Sequence, residues 1–172
     1  MKTLFLLRHA KSNWDDASLD DFDRPLAERG REAAPRMGKE LAARGWLPDA
    51  VLGSAAVRAQ QTWTLVAAQL THAPKPALSK ALYMAAPARL LQHVRKTPET
   101  VNSLLIVGHN PGLEEFATLI AGDGSDVASL ARMGEKFPTA ALARFEFEGP
   151  WEKLRRDTAR LTHFLRPRDL EC

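Results

Sequence analysis

The chain has almost no cysteine and no long apolar run. Its one cysteine, Cys172, is the last of 172 residues, which excludes an intramolecular disulfide and a cysteine-based metal site. No apolar stretch approaches the roughly 18 residues that a membrane-spanning helix needs. Arg8 interrupts the first apolar run before it could form a signal-peptide core. We therefore expect a cytoplasmic protein of a reducing cell, with no membrane partner.

A strong charge bias is also missing. The 24 Lys and Arg residues against 21 Asp and Glu give a net charge of +3. No basic run and no interleaving of aromatic and basic residues indicates a nucleic-acid partner, so none is expected. The small excess of cations fits an anionic small ligand or a phosphoprotein. Length and a hydrophobic fraction of 45% predict one globular domain over residues 1–172, and no motif specifies an oligomeric state.

Short apolar segments alternate with segments of helical periodicity. Strands are predicted at 3–7, 50–53, 78–82, 104–107, 142–147 and 159–165. Helical spacing of apolar residues fills the intervals between the first four strands. This order predicts an α/β fold, a three-layer α/β/α sandwich whose central sheet is mostly parallel, with the last two strands as an antiparallel edge. The segments 12–24 and 122–139 are predicted to be loops.

Three of the buried strands lead into polar residues that are costly to bury unpaired. The first ends at Arg8 and His9, and the fourth leads into His109. The second leads into Ser54, a predicted helix N-cap, which puts Arg58 in the first turns of the following helix. Ligands of open α/β sheets bind beyond the carboxyl ends of the strands. We therefore expect these side chains to lie close together at one sheet edge.

Two arginines and two histidines at one edge indicate an anion site. Guanidinium forks match phosphate oxygens, and a neutral imidazole is a nucleophile that can form a covalent intermediate. The set predicts phosphoryl transfer in which His9 attacks while Arg8, Arg58 and His109 stabilise the charge. Neither a metal nor any other cofactor is required. Taken singly, each residue also has a structural interpretation, such as a surface helix arginine for Arg58 or a loop hydrogen bond for His109.

At these residues the sequence resembles the histidine phosphatase superfamily, which has the phosphoglycerate-mutase-like fold. The segment 7–10 resembles its N-terminal Arg-His-Gly/Ala signature, 54–62 its Ser-x-x-x-Arg-x-x-Gln-Thr motif, and 108–109 its late Gly/Ser-His motif. The resemblance implies that His9 accepts the phosphoryl group and that Arg8, Arg58 and His109 surround it.

The short chain and the segments 8–14 and 23–26 look most like the small SixA-type phosphohistidine phosphatases. The mutase branch carries a glutamate proton donor after the third strand, whereas residues 81–86 here contain no carboxylate. The mutase branch also has an asparagine where this chain has Asp15 and a threonine where it has Ala27, so mutase activity is not expected.

The lack of this glutamate proton donor affects which leaving group the site can expel. An alkoxide departs poorly without a proton, and general acid catalysis contributes about 10²–10⁴-fold. A phosphohistidine leaves as imidazole, which is much less basic. The predicted function is therefore a metal-independent phosphatase acting on phosphohistidine proteins. The alternative is that a carboxylate of the Asp-rich segment 15–23 supplies the proton.

Three further residues are candidates for phosphate or substrate binding: Ser12, Arg24 and Asn110. Each has a structural alternative, namely a serine turn, an ion pair with the Asp-rich segment, and a turn role respectively. Trp14 is expected in the core or in an interface.

Competing functions remain at this point. The site could belong to a general small-molecule phosphomonoesterase or to a phospho-ligand binding module without turnover. A metallohydrolase using His9, His109 and loop aspartates is a further alternative, although the spacing matches no recognised metal motif.

Overall fold

A computed structural model describes residues 1–170, and its centre is a six-stranded sheet. The strands are β1 (Lys2–Arg8), β2 (Ala50–Ser54), β3 (Pro76–Ser79), β4 (Ser103–Gly108), β5 (Leu142–Phe147) and β6 (Arg160–Leu165). Their spatial order is β3-β2-β4-β1-β5-β6. The first four strands are parallel, while β5 runs antiparallel to β1 and β6 antiparallel to β5. The predicted mostly parallel sheet with an antiparallel edge is confirmed.

Helices cover both faces of the sheet. They are α1 (Glu28–Arg44), α2 (Val57–Ala67), α3 (Pro87–Arg95), α4 (Gly112–Ile120) and α5 (Val127–Glu135). Successive side chains of a strand point to opposite faces. Accordingly, Phe5 and Leu7 pack in the cluster that includes α1 and α2, whereas Leu4 and Leu6 pack in the cluster that includes α3 and α4. This is the predicted three-layer arrangement. In the part of the chain described, no helix is both long and apolar enough to span a bilayer.

Two segments differ from the sequence prediction. The third strand was expected at 78–82, but β3 ends at Ser79 and residues 80–82 form a 3-10 turn. The Ser79 side chain accepts a hydrogen bond from the Ala81 N–H at 3.1 Å, which starts the turn. The predicted loop 122–139 contains α5, whose N-cap Asp126 accepts from the Ser129 N–H at 3.0 Å. Both expectations were wrong at these residues because a side-chain cap determines the local structure.

The parallel strands place their carboxyl ends at one edge of the sheet. Arg8 of β1 is aligned with Gly108 of β4, and Gly53 of β2 is aligned with Val107 of β4. The residues that follow these strands are therefore neighbours in space although they are about 50 to 100 residues apart in sequence. The candidate site is built on this edge.

Candidate active site

A cavity of about 350 Å³ opens at this edge of the sheet. Its lining includes all seven candidates from the sequence: Arg8, His9, Ser12, Arg24, Arg58, His109 and Asn110. Five of them are almost completely buried, with exposed fractions of 7% for His9, 6% for Ser12, 6% for Arg24, 2% for Arg58 and 3% for His109. Three arginine and two histidine side chains thus share a small, partly enclosed space.

His9 is held in one tautomer by the backbone. Its Nδ1 lies 2.7 Å from the Ala10 carbonyl oxygen. Because a carbonyl oxygen can only accept, Nδ1 carries the hydrogen and Nε2 keeps its lone pair. Burial lowers the pKa of His9 to about 3, with smaller contributions in the same direction from His109, Arg58 and Arg8. The ring is therefore neutral near pH 7, and Nε2 is available as a nucleophile.

Thr62 connects the nucleophile to the helix that carries Arg58. Its Oγ1 accepts a hydrogen bond from the Ala10 N–H at 2.9 Å and donates one to the Arg58 carbonyl at 2.7 Å. The threonine is completely buried. A single hydroxyl therefore fixes the end of β1 against the first turns of α2, which sets His9 and Arg58 side by side.

His109 presents an unpaired ring nitrogen. Its Nε2 lies 2.7 Å from Ser54 Oγ, which itself accepts from the Ala56 N–H at 3.2 Å. The Ser54 hydroxyl hydrogen is thus free to donate to Nε2, and with that donation Nδ1 is the nitrogen that carries the hydrogen of the neutral ring. This Nδ1 is buried and has no partner among residues 1–170. Burial, followed by the charge of Arg58, lowers the pKa of His109 to about 4.

The two arginines also have buried nitrogens that lack a partner within residues 1–170, namely Nε of Arg8 and Nε of Arg58. Arg8 uses Nη1 to donate to the Phe137 carbonyl at 3.0 Å. Arg58 donates from Nη1 to the Asp21 carbonyl at 2.6 Å. Buried N–H groups without an acceptor cost about 1–3 kcal/mol each. An anion in the cavity would satisfy such donors, which fits a phosphoryl group.

Asp21 lies in a 3-10 turn, Asp21–Asp23, and is the one carboxylate that lines the cavity within residues 1–170. Arg58 Nη2 donates to it at 2.9 Å, Arg24 donates from Nε and Nη2 at 3.0 and 2.9 Å, and the Tyr83 hydroxyl donates as well. Partial burial alone would raise the pKa of Asp21, but the hydrogen bonds from Tyr83, Arg58 and Arg24 outweigh it and hold that pKa well below its usual range. Asp21 is therefore ionised and cannot donate a proton in this arrangement.

Tyr83 packs edge-on against His109, with ring centroids 5.4 Å apart. Burial and the bond to Asp21 raise the pKa of Tyr83 above its usual value. Tyr83 lies in the 81–86 segment, where the sequence analysis found no carboxylate. Its hydroxyl stays protonated and serves as a partner of Asp21. Sequence reasoning missed Tyr83 because a lone tyrosine in a loop carries no pattern.

Arg24 and Ser12 form one unit beside the cavity. Arg24 Nη1 donates to Ser12 Oγ at 2.7 Å and to the Asn13 carbonyl at 3.2 Å. The guanidinium carbon lies 3.4 Å from the centre of the Trp14 ring. Trp14 itself is 68% exposed, so it is not a core residue. Arg24 thus forms the expected ion pair with an aspartate of the Asp-rich segment, Asp21. It also lines the cavity.

Asn110 is engaged with the protein at both ends of its amide. Its Nδ2 donates to the Phe137 carbonyl at 3.0 Å and to the Glu114 carboxylate at 3.2 Å, and its Oδ1 accepts from the Glu114 N–H at 3.2 Å. These bonds hold the first turn of α4.

A metal site is a separate question. No group of three or more His, Cys, Asp or Glu side chains in residues 1–170 is arranged to hold an ion.

Comparisons with known proteins identify the family. A family model described as the histidine phosphatase superfamily, branch 1, matches residues 4–98. The chain is 38% identical over 165 residues to an uncharacterised protein of Mycobacterium tuberculosis, covering 94% of this chain and all of that protein. It is 36% identical over 160 residues to an uncharacterised chloroplastic protein of Arabidopsis thaliana, covering 87% of this chain and 73% of that protein.

Solved structures share the architecture. One from Agrobacterium tumefaciens, assigned as the phosphohistidine phosphatase SixA, has a TM-score of 0.82 at 30% identity, covering 96% of this chain and 98% of its own. A protein histidine phosphatase SixA complexed with tungstate has a TM-score of 0.79 at 21% identity, covering 97% and 98%, and so shows a common fold. Since the family model spans more than half of the sequence and the relatives match nearly all of it, this chain belongs to the histidine phosphatase superfamily.

Proposed function

We propose that this phosphatase works through a phosphohistidine intermediate on His9 and dephosphorylates phosphohistidine in proteins. The observation that carries the proposal is the state of the His9 ring. Its Nδ1 hydrogen is fixed on the Ala10 carbonyl, its Nε2 keeps a lone pair, and burial lowers its pKa to about 3. A neutral imidazole bearing a free Nε2 among arginines is what nucleophilic attack on a phosphoryl group requires.

The reaction has two steps. His9 Nε2 attacks the phosphorus, forming an N–P bond while the P–N bond of the substrate breaks, and the leaving imidazole takes a proton from water. A water molecule then attacks the phosphorus of phospho-His9, which releases inorganic phosphate and restores Nε2. Arg8, Arg58 and His109 donate hydrogen bonds to the phosphoryl oxygens and stabilise their negative charge in the transition state.

The absence of a poised acid favours phosphohistidine over sugar phosphates. Within residues 1–170, Asp21 is the one carboxylate that lines the cavity, and its hydrogen bonds from Tyr83, Arg58 and Arg24 keep it ionised. An alkoxide leaving group would need a proton donor, whereas imidazole is a much weaker base. The likeness at 30% identity to the SixA structure of Agrobacterium tumefaciens supports the same substrate class.

The rim of the cavity supports a protein substrate. Trp14 and Met84 both line the cavity, yet they are 68% and 48% exposed. Exposed aromatic and methionine side chains are typical of protein contact surfaces. A small sugar phosphate would leave them in water.

The test compares three substrates: a phosphohistidine peptide, glucose 6-phosphate and p-nitrophenyl phosphate. We expect the highest kcat/KM for the peptide and loss of turnover of all three in His9→Asn, with unchanged turnover in His72→Asn at an exposed histidine. A preference for glucose 6-phosphate would indicate a small-molecule phosphomonoesterase instead. Full turnover by His9→Asn would refute the covalent mechanism.

A further inference from the structure

A second cavity, of about 390 Å³, lies beside the first. It is formed by one face of α1, by the segment that follows β6, and by the turn at Pro138 and Thr139. The charged side chains of this basic cleft are Lys11, Arg29, Glu32, Arg36, Arg166 and Arg168. Lys11 and Thr139 line both cavities, so the basic cleft is continuous with the site at His9.

The cations of the basic cleft are not all neutralised. Arg166 is paired with Asp169 at 2.9 Å and with Glu135 at 3.4 Å, and Arg168 lies 3.9 Å from Glu135. These two arginines are therefore part of the protein's own ion pairs. The remaining arginines of the cleft, Arg29 and Arg36, lie on α1.

Lys11, Arg29 and Arg36 have no carboxylate partner in residues 1–170. Arg36 donates to the carbonyls of Pro167 and Leu170 at 3.2 and 3.3 Å, and its buried Nε has no partner within the same residues. Lys11 and Arg29 are exposed. The one acidic side chain of the cleft, Glu32, forms no salt bridge with either neighbouring arginine. The cleft therefore retains a surplus of positive charge.

The chemistry of the cleft selects among anionic ligands. No aromatic side chain among residues 1–170 lines it, so this part of the chain offers none of the stacking surfaces on which proteins hold single-stranded nucleic acid. The exposed cations Lys11 and Arg29 suit carboxylates carried on a chain. Because Lys11 and Thr139 line both cavities, a substrate held at His9 would also reach the cleft.

We infer that the basic cleft binds acidic side chains of the phosphohistidine protein while its phosphohistidine enters the cavity at His9. The inference rests on the proposed function and adds to it a substrate preference, for phosphohistidine near glutamate or aspartate. Arg29 and Arg36 on α1, together with Lys11 at the junction, supply the charge. Such contacts raise association rate and selectivity, and salt weakens them.

The test uses two phosphohistidine peptides that differ only in flanking residues, four glutamates in one and four glutamines in the other. Arg29→Glu should raise KM for the glutamate peptide about fivefold, and Glu32→Lys should lower it by a similar factor. The glutamine peptide and p-nitrophenyl phosphate should respond to neither variant. Lys39→Glu is the matched control, because Lys39 is exposed on α1 and does not line the cleft.

The possible results separate the inference from the proposed function. Equal KM values for both peptides in all variants would overturn the inference and leave the phosphohistidine activity standing. If p-nitrophenyl phosphate is hydrolysed but neither peptide is, both the inference and the proposed function are refuted. If Arg29→Glu raises KM for ribose 1,5-bisphosphate but not for ribose 5-phosphate or the peptides, the cleft binds the second phosphate of a small molecule. That result would also overturn the inference.

Discussion

The buried imidazoles make the stability of the protein depend on pH in a way that can be calculated. His9 and His109 have pKa values of about 3 and 4 in the folded chain, against a usual value of 6.5. Between pH 6.5 and pH 4 the unfolded chain binds these protons and the folded chain does not, so acid favours unfolding. The stabilisation is complete above pH 6.5 and is lost as the pH falls toward the folded-state values.

From pH 7 to pH 5 each histidine should lower the free energy of unfolding by about 2 kcal/mol, and the two together by about 4 kcal/mol. Carboxylates contribute little in this window, since they titrate near pH 4 when unfolded. The loss is large against a typical total of about 5–15 kcal/mol.

The assay is urea unfolding at pH 7 and pH 5, without phosphate or sulfate, for wild type, His9→Asn and His109→Asn. Each variant should lose about 2 kcal/mol less than wild type between the two pH values. His72→Asn, at an exposed position, should behave as wild type. The reasoning is refuted if both site variants show the same acid sensitivity as the wild type, because the imidazoles would then titrate normally in the folded protein.

Three further perturbations test the contacts around the site. Asp21→Asn removes the carboxylate that pairs with two buried arginines, so it should lower Tm, and tungstate should raise Tm more in this variant than in wild type. Thr62→Val leaves the buried Ala10 N–H without its acceptor and should cost about 1–3 kcal/mol of unfolding free energy, measured in urea. Gly112→Ala would place a Cβ 1.8 Å from the Ala85 carbonyl oxygen, so α4 must shift, and thermal unfolding should show a loss of several degrees in Tm.

Each of these has its own control. Asp23→Asn, in the same turn but outside the cavity lining, should not change the response to tungstate. Thr62→Ser keeps the hydroxyl and should restore most of the stability lost in the valine variant. Gly134→Ala adds a Cβ that meets nothing within 4 Å and should be tolerated. If the control and the test variant behave alike in any pair, the contact in question does not have the role described.

The site residues that could be predicted from the sequence are those at the ends of buried strands. Apolar runs ending in Arg8-His9 and before His109, in a chain of alternating strands and helices, already predict one shared sheet edge, because parallel strands end on the same side. The structure indeed brings these residues to one cavity. Because β1 packs between two helical layers, the positions of Arg8 and His9 at its end are closely fixed.

The parts that could not be predicted depend on single tertiary contacts. Asp21 is one of five aspartates in the segment 15–23, and only the approach of its 3-10 turn to Arg58 distinguishes it. Ser54 was expected to cap α2, but Ala56 is the N-cap and Ser54 is bonded to His109. Glycines at 122, 124 and 134 obscured α5. For Asp21 and Ser54 a neighbouring element in space decides the role, whereas for α5 it is the local cap by Asp126.

The proposed mechanism requires that one nitrogen of one histidine, Nε2 of His9, accepts the phosphoryl group. Rapid quenching of the enzyme with ³²P-labelled phosphohistidine peptide, followed by alkaline digestion and analysis of the phosphohistidine isomer, gives the answer. The geometry of Nδ1 on the Ala10 carbonyl predicts phosphate on Nε2 of His9, at a stoichiometry that disappears in His9→Asn. Phosphate on Nδ1, on His109, or on no residue during steady turnover would contradict the mechanism.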